Sequence, residues 1–155
     1  SDTASISVSG GNALPEASTL PSVISFSEDT TGNINLSALT LSDADDDTLT
    51  LSLSVAAGVF STPVDDVDVT ETLVSASNIT LQGSAAALNT YLDTASNLKF
   101  TASANASGAP YTALVLTLSD GTATRNIGSI AVNVAAVNDA PVLDTTATST
   151  LTVIA

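Results

Sequence analysis

A chain of 155 residues with sixteen acids, two basic residues and a formal charge of -14 repels polyanions, so neither nucleic acid nor an anionic membrane is an expected partner. Its length suits one domain with a hydrophobic core of its own. Having no His, Cys, Met or Trp, it lacks the commonest general base, the thiolate nucleophile and the preferred ligands of zinc and iron, so an enzyme is not expected.

In chain order, "SVISF" (22–26), "INLSALTL" (34–41), "TLTLSLSV" (48–55), "ETLVSASNITLQG" (71–83), "NLKFTASA" (97–104), "YTALVLTLS" (111–119) and "GSIAVNVAAV" (128–137) alternate apolar with small polar residues. That period of two marks half-buried strands. The segment "SAAALNTYL" (84–92) breaks the alternation; Ser84 is a candidate N-cap for one or two helical turns that would face Leu88, Tyr91 and Leu92 inward. Asp120-Gly121 is expected to close a strand in a tight turn. About seven strands with one short helical crossover predict an all-β fold, an antiparallel Greek-key β-sandwich. No run approaches the ~20 apolar residues of a membrane span, and no basic stretch followed by an apolar one opens the chain, so an export signal is expected outside these residues.

The two ends answer each other. "SISV" (5–8) followed by "NALP" (12–15) is echoed by "SIAV" (129–132) followed by "NDAP" (138–141). The echo predicts a tandem repeat, with residues 1–15 the last strand and linker of a preceding copy, 16–137 one complete repeat, and 138–155 a linker and the first strand, "STLTVIA", of the following copy.

The stretch "LSDADDDTLT" (41–50) crowds Asp43, Asp45, Asp46 and Asp47 together in a chain whose basic residues are Lys99 and Arg125. Residues two apart in an extended chain project to the same side, so Asp43, Asp45 and Asp47 can converge on a cation. Calcium accepts six to eight oxygen ligands in irregular geometry, and a bound cation would turn the mutual repulsion of these charges into attraction. The alternative is a solvated acidic turn that keeps a sheet end soluble. An EF-hand is not expected, because Thr48 and Ser54 stand where that loop needs its Gly and its bidentate Glu. Without Cys there is no disulfide framework, which leaves a metal as the available cross-link for an extracellular protein.

Other groups carry less. Asp65, Asp66, Asp68 and Glu71 are either a second calcium site or a solvated loop, and Asp120 reads as a turn former. Asn35, Asn78 and Asn105 open Asn-x-Ser/Thr triplets of the kind that a Ser- and Thr-rich sequence generates by chance. Glycoside hydrolysis by paired carboxylates normally comes with aromatic sugar platforms, and Tyr91, Tyr111 and three Phe are a thin supply.

The motifs "SEDTTGNI" (27–34), "LSDADDDTLT" (41–50), "TLSDGTAT" (117–124) and "VNDAPV" (137–142), in that order, resemble the cadherin-like, bacterial immunoglobulin-like repeats of giant calcium-dependent surface adhesins and repeats-in-toxin proteins. The resemblance implies calcium (Ca2+) at the junctions between consecutive repeats. Glu28 takes the place of the early acid, Asp43 and Asp45 that of the Asp-x-Asp pair with Asp47 beside them, and Asn138 and Asp139 that of the linker ligands. Asp43 and Asp45 would serve the junction with the preceding copy, and Glu28, Asn138 and Asp139 the junction with the following one. The chain departs from the pattern in three places: Asp46 stands where such repeats often have Gly, no Asp-Arg-Glu occurs mid-chain, and "NALP" lacks the acid of "NDAP". The resemblance implies a calcium-stiffened spacer in a secreted bacterial surface adhesin, with neighbouring repeats as its partners and no membrane insertion. The competing expectation is a module that uses calcium to bind carbohydrate, peptide or another copy of itself.

Overall fold

The structure is a computed structural model that describes residues 11–141. It contains eleven strands: β1 (Glu16–Ala17), β2 (Val23–Ser27), β3 (Thr31–Asn33), β4 (Leu41–Ser42), β5 (Leu49–Val55), β6 (Val59–Phe60), β7 (Val69–Ser75), β8 (Asn78–Gly83), β9 (Lys99–Thr101), β10 (Gly108–Ser119) and β11 (Thr124–Ala135). One α-helix, α1 (Ala85–Leu92), and a short 3-10 turn (Ala95–Asn97) lie between β8 and β9. The segments 5–8 and 149–155, on which the repeat argument also draws, lie outside the described residues.

The longest strands form where the alternation is strictest. In β5 every second residue (Leu49, Leu51, Leu53, Val55) is buried while the Thr and Ser between them are half-buried. Leu114, Leu116 and Leu118 on β10, Ile130, Val132 and Val134 on β11, and Ile79 and Leu81 on β8 complete that inner face. Fully burying such side chains stabilises the fold by roughly 1.5–3 kcal/mol each. The six-stranded sheet runs in the order β2-β11-β10-β5-β8-β7, and a three-stranded sheet, β3-β9-β6, and a two-stranded one, β1-β4, complete the fold. Phe100 on β9 joins the sheets, its ring centroid 5.2 Å from Phe26, 6.3 Å from Phe60 and 6.5 Å from Tyr111. This packing requires glycine at Gly58, where φ is +79° and an added Cβ would sit 2.3 Å from the Phe100 ring.

The all-β sandwich with one helical crossover is what the alternation predicts. Ser84 caps α1 by accepting from the Ala87 N–H, and Leu88, Tyr91 and Leu92 are its buried residues. The helix carries the chain from the six-stranded sheet to the three-stranded one. Three details differ from the sequence reading. Residues 71–83 are a hairpin, β7 and β8, turning at Ala76-Ser77, because the Ser, Thr and Ala of that stretch fit a turn as well as a strand. Residues 34–40 are not a strand: the chain folds back, with Leu39 N donating to Leu36 O, yet still buries Ile34, Leu36, Leu39 and Leu41. The pairing is antiparallel except between β2 and β11, which run parallel.

Candidate metal centres

Strand β4 delivers Asp43. It is held by β1, with Glu16 opposite Ser42, and by Asn89 of α1, whose side-chain amide accepts from Leu41 N at 2.8 Å and donates to Leu41 O at 2.9 Å. Beyond it the chain coils around the Asp43 carboxylate, whose Oδ1 accepts from Asp45 N at 2.9 Å and Asp47 N at 3.4 Å. Its Oδ2 is buried and has no hydrogen-bond partner. The coil needs a left-handed residue at Asp46 (φ +58°), which supplies the physical reason why Gly suits that position. The outcome is one carboxylate oxygen from each of Asp43, Asp45 and Asp47 within 4.8 Å of one another.

Asp120 borders this cluster and is buried. Its Oδ1 accepts from Thr122 N (2.7 Å) and Ala123 N (2.6 Å), and its Oδ2 from Asn12 Nδ2 (2.9 Å). Those bonds, led by Ala123 and Asn12, hold its carboxyl below the usual range. Asp120 is thus the turn former expected, and it also adds charge to the cluster. Desolvation, followed by repulsion from Asp43, Asp45 and Asp120, pushes the Asp47 carboxyl up. The segment preceding β1 crosses here too, with Ala13 N donating to Asp45 Oδ2 at 2.6 Å.

The second cluster forms where β2 and β11 end together. Glu28 N donates to Ala135 O at 3.0 Å, and Val137 N donates to Glu28 Oε1 at 2.7 Å. Glu28 is only 4% exposed, an unusual position for a carboxylate unless it is paired or coordinated. It lies with Asp29 and Asp139 so that one oxygen from each falls within 4.8 Å of the others. Asp29 turns the chain with φ +58°, and Thr30 Oγ1 donates to Ser27 O at 3.0 Å in the same turn. Asn138 is exposed, and its amide donates to Asp139 O at 3.2 Å. Sequence reasoning passed over Asp29; the signal was present in the adjacent acids of "SEDT", but that both neighbouring side chains reach Asp139 depends on the left-handed turn at Asp29.

Among the described residues, these are the two groups of three acids that meet at such distances, and Asp65, Asp66, Asp68 and Glu71 belong to neither. Asp66 Oδ1 instead accepts from Asp68 N at 2.9 Å within its own loop. Neither cluster accepts a hydrogen bond from a basic side chain: Arg125 Nη1 donates to Pro15 O, and Lys99 lies exposed on β9.

The clusters occupy opposite ends of the sandwich. The turn holding Asp120 precedes β11, and Ala135 at the far end of β11 is paired with Ser27 beside Glu28. Twelve residues of β11, at about 3.3 Å each, separate the two ends by roughly 40 Å. Comparison with protein-family models, curated proteins and solved structures finds no match. Both donor sets consist of oxygen alone, which suits a hard cation of the calcium, magnesium or manganese type. These acidic clusters can therefore bind a metal ion. No helix among the described residues is long and apolar enough to cross a membrane.

Proposed function

We propose that this chain is a calcium-binding structural repeat, an extender module of a large secreted bacterial surface adhesin, stiffened by calcium at its junctions with neighbouring repeats. The observation that carries the reading is the placement of the two clusters. One is contacted by residues 12 and 13 as the chain enters, and the other by residue 137 as it leaves, at opposite ends of the sandwich. A cation at such a place ties each linker to the body of the domain, so filling the sites restricts bending between repeats. Calcium fits better than magnesium, since three carboxylates on curled loops offer up to six oxygens without octahedral regularity. Extracellular modules bind calcium at roughly 0.1–1 mM, so the chain would be stiff outside a cell and pliant in a calcium-poor cytosol.

Thermal unfolding in chelator and across a calcium titration, with magnesium as control, tests the assignment. At about 100-fold excess over Kd, binding adds about 2.7 kcal/mol, a rise in Tm of roughly 10 °C. The Asp43→Ala/Asp45→Ala variant is expected to lose a large part of that rise. An equal response to both ions, or a full response in the variant, overturns the assignment of that cluster to calcium. Binding to a glycan array that disappears with chelator would move the function from spacer to adhesion module.

A further inference from the structure

Aligned on their Asn and Pro, "NALP" (12–15) and "NDAP" (138–141) put Ala13 where the other segment has Asp139. One linker thus reaches its acidic cluster without a charge, and the other brings one.

The entering linker meets its cluster as a hydrogen-bond donor. Asn12 Nδ2 donates to Asp120 Oδ2 at 2.9 Å, and Ala13 N to Asp45 Oδ2 at 2.6 Å. Bonds from an N–H to an ionised carboxylate are about twice as strong as neutral ones and need no cation. Asp120 is only 8% exposed and is fixed by Thr122 N and Ala123 N, so Asn12 is tied to a rigid point of the turn before β11. Immediately behind these contacts Pro15 is buried, β1 pairs with β4, and Ser18 N donates to Thr40 O at 2.8 Å. The linker leaves other oxygens of the cluster open, since Asp43 Oδ2 has no partner and a carboxylate accepts at about four sites. An ion and the linker can therefore be held there at once.

The leaving linker meets its cluster with a charge of the same sign. Val137 N donates to Glu28 Oε1 at 2.7 Å, but among the described residues none from 138 to 141 hydrogen-bonds to the body of the domain: the Asn138 amide donates to the adjacent Asp139 O. All four are exposed. Asp139 brings a third carboxylate to within 4.8 Å of those of Glu28 and Asp29. Without a cation these charges repel one another, and with one the interaction changes sign.

We infer that the two junctions answer calcium differently: the entering linker is latched to the domain by Asn12 and Ala13 whether or not the ion is bound, and only the leaving linker is switched by it. In chelator the chain then bends freely at one end alone. The residue that makes the difference is Asp139, where the entering linker has Ala13. The switch rests on the calcium reading of the Glu28 cluster, whereas the latch does not.

Nitrogen-15 relaxation on the whole chain, in chelator and at saturating calcium, provides the test. Backbone order parameters of Asn12 and Ala13 are expected near the rigid value of about 0.85 in both conditions. Those of Asn138, Asp139 and Ala140 are expected below about 0.6 in chelator and to rise to the rigid value in calcium. Ala13→Asp should give the entering linker the behaviour of the leaving one, mobile in chelator and rigid in calcium. Mobile Asn12 and Ala13 in the unaltered protein in chelator overturn the latch. An Ala13→Asp linker that stays rigid in chelator overturns the inference too, because the charge at that position then does not decide the difference, and so does a leaving linker whose mobility is the same in both conditions while calcium is bound. A calcium titration that shifts no amide signal at Glu28, Asp29 or Asp139 overturns the calcium reading of that cluster and the switch with it, and the latch then stands or falls on Asn12 and Ala13 in chelator.

Discussion

Replacing Glu28 with Gln separates the structural work of this side chain from its electrostatic work. The amide retains the Oε1 acceptor for the Val137 N–H, a 2.7 Å bond, and removes the charge. In chelator two effects oppose each other. A bond to a charged acceptor is exchanged for a neutral one, a loss of about 1 kcal/mol, while a side chain only 4% exposed is freed of a buried charge and of repulsion from Asp29 and Asp139. The ion-free Tm of Glu28→Gln should therefore stay within a few degrees of the unaltered protein. In calcium the balance changes. If losing one of three carboxylates lowers affinity about 100-fold, an ion at 100 times Kd falls to about one Kd, and its contribution drops from about 2.7 to about 0.4 kcal/mol. The resulting loss, about 2.3 kcal/mol, lowers the calcium-bound Tm by roughly 8 °C. Differential scanning calorimetry with and without calcium reads both numbers, and titration calorimetry should show one fewer site. Glu28→Ala is the contrast: it strands the Val137 N–H and costs about 1–3 kcal/mol already in chelator, with the lost calcium contribution added to it when the ion is present. A calcium shift in Glu28→Gln equal to that of the unaltered protein refutes the reasoning and leaves Glu28 a structural acceptor only.

At the other end, Asp47→Asn tests the sign of the local field. Because the folded state holds the Asp47 carboxyl above its ordinary value, the folded protein binds that proton more tightly than the unfolded chain does, and this residue's contribution to ion-free stability rises as pH falls from neutral through the raised value. Asp47→Asn should stabilise the ion-free protein at neutral pH, flatten that part of its pH profile and lower its stability in calcium; urea midpoints across pH check all three, and destabilisation in chelator would contradict the account. Asp46→Gly relieves a left-handed residue (φ +58°) and removes one charge from the loop, so the ion-free denaturation midpoint should rise by the equivalent of about 0.5–1 kcal/mol, with calcium binding retained. A fall in that midpoint would show that the Asp46 side chain supports the loop in a way its backbone angle does not reveal.

Much of the architecture was legible because a period of two is a local property. Strand β5 alternates buried Leu with half-buried Thr and Ser along its whole length, and any sheet able to hide four such side chains must use that face. The helix was legible for a similar reason: Ser84 and the spacing of Leu88, Tyr91 and Leu92 act within two turns of one another. Boundaries were harder where small residues left turn and strand equally open. The hairpin of β7 and β8 and the fold-back at Leu36 to Leu39 were settled by contacts with neighbouring strands.

The sequence by itself determined the alternation that makes the sheets and the oxygen-only chemistry of the acids, because each depends on residues a few positions apart; it also brought Asp43, Asp45 and Asp47 together, though through a turn around the Asp43 carboxylate rather than the extended geometry expected. Only the tertiary structure decided that Glu28 is buried against Val137, that Asp29 stands beside Asp139, and that Asn12 and Ala13 lie on the other acidic cluster. The Glu28–Val137 bond alone joins segments 109 positions apart. These relations follow from strand order and register, which are set by how two whole sheets close over one core rather than by any short stretch of chain.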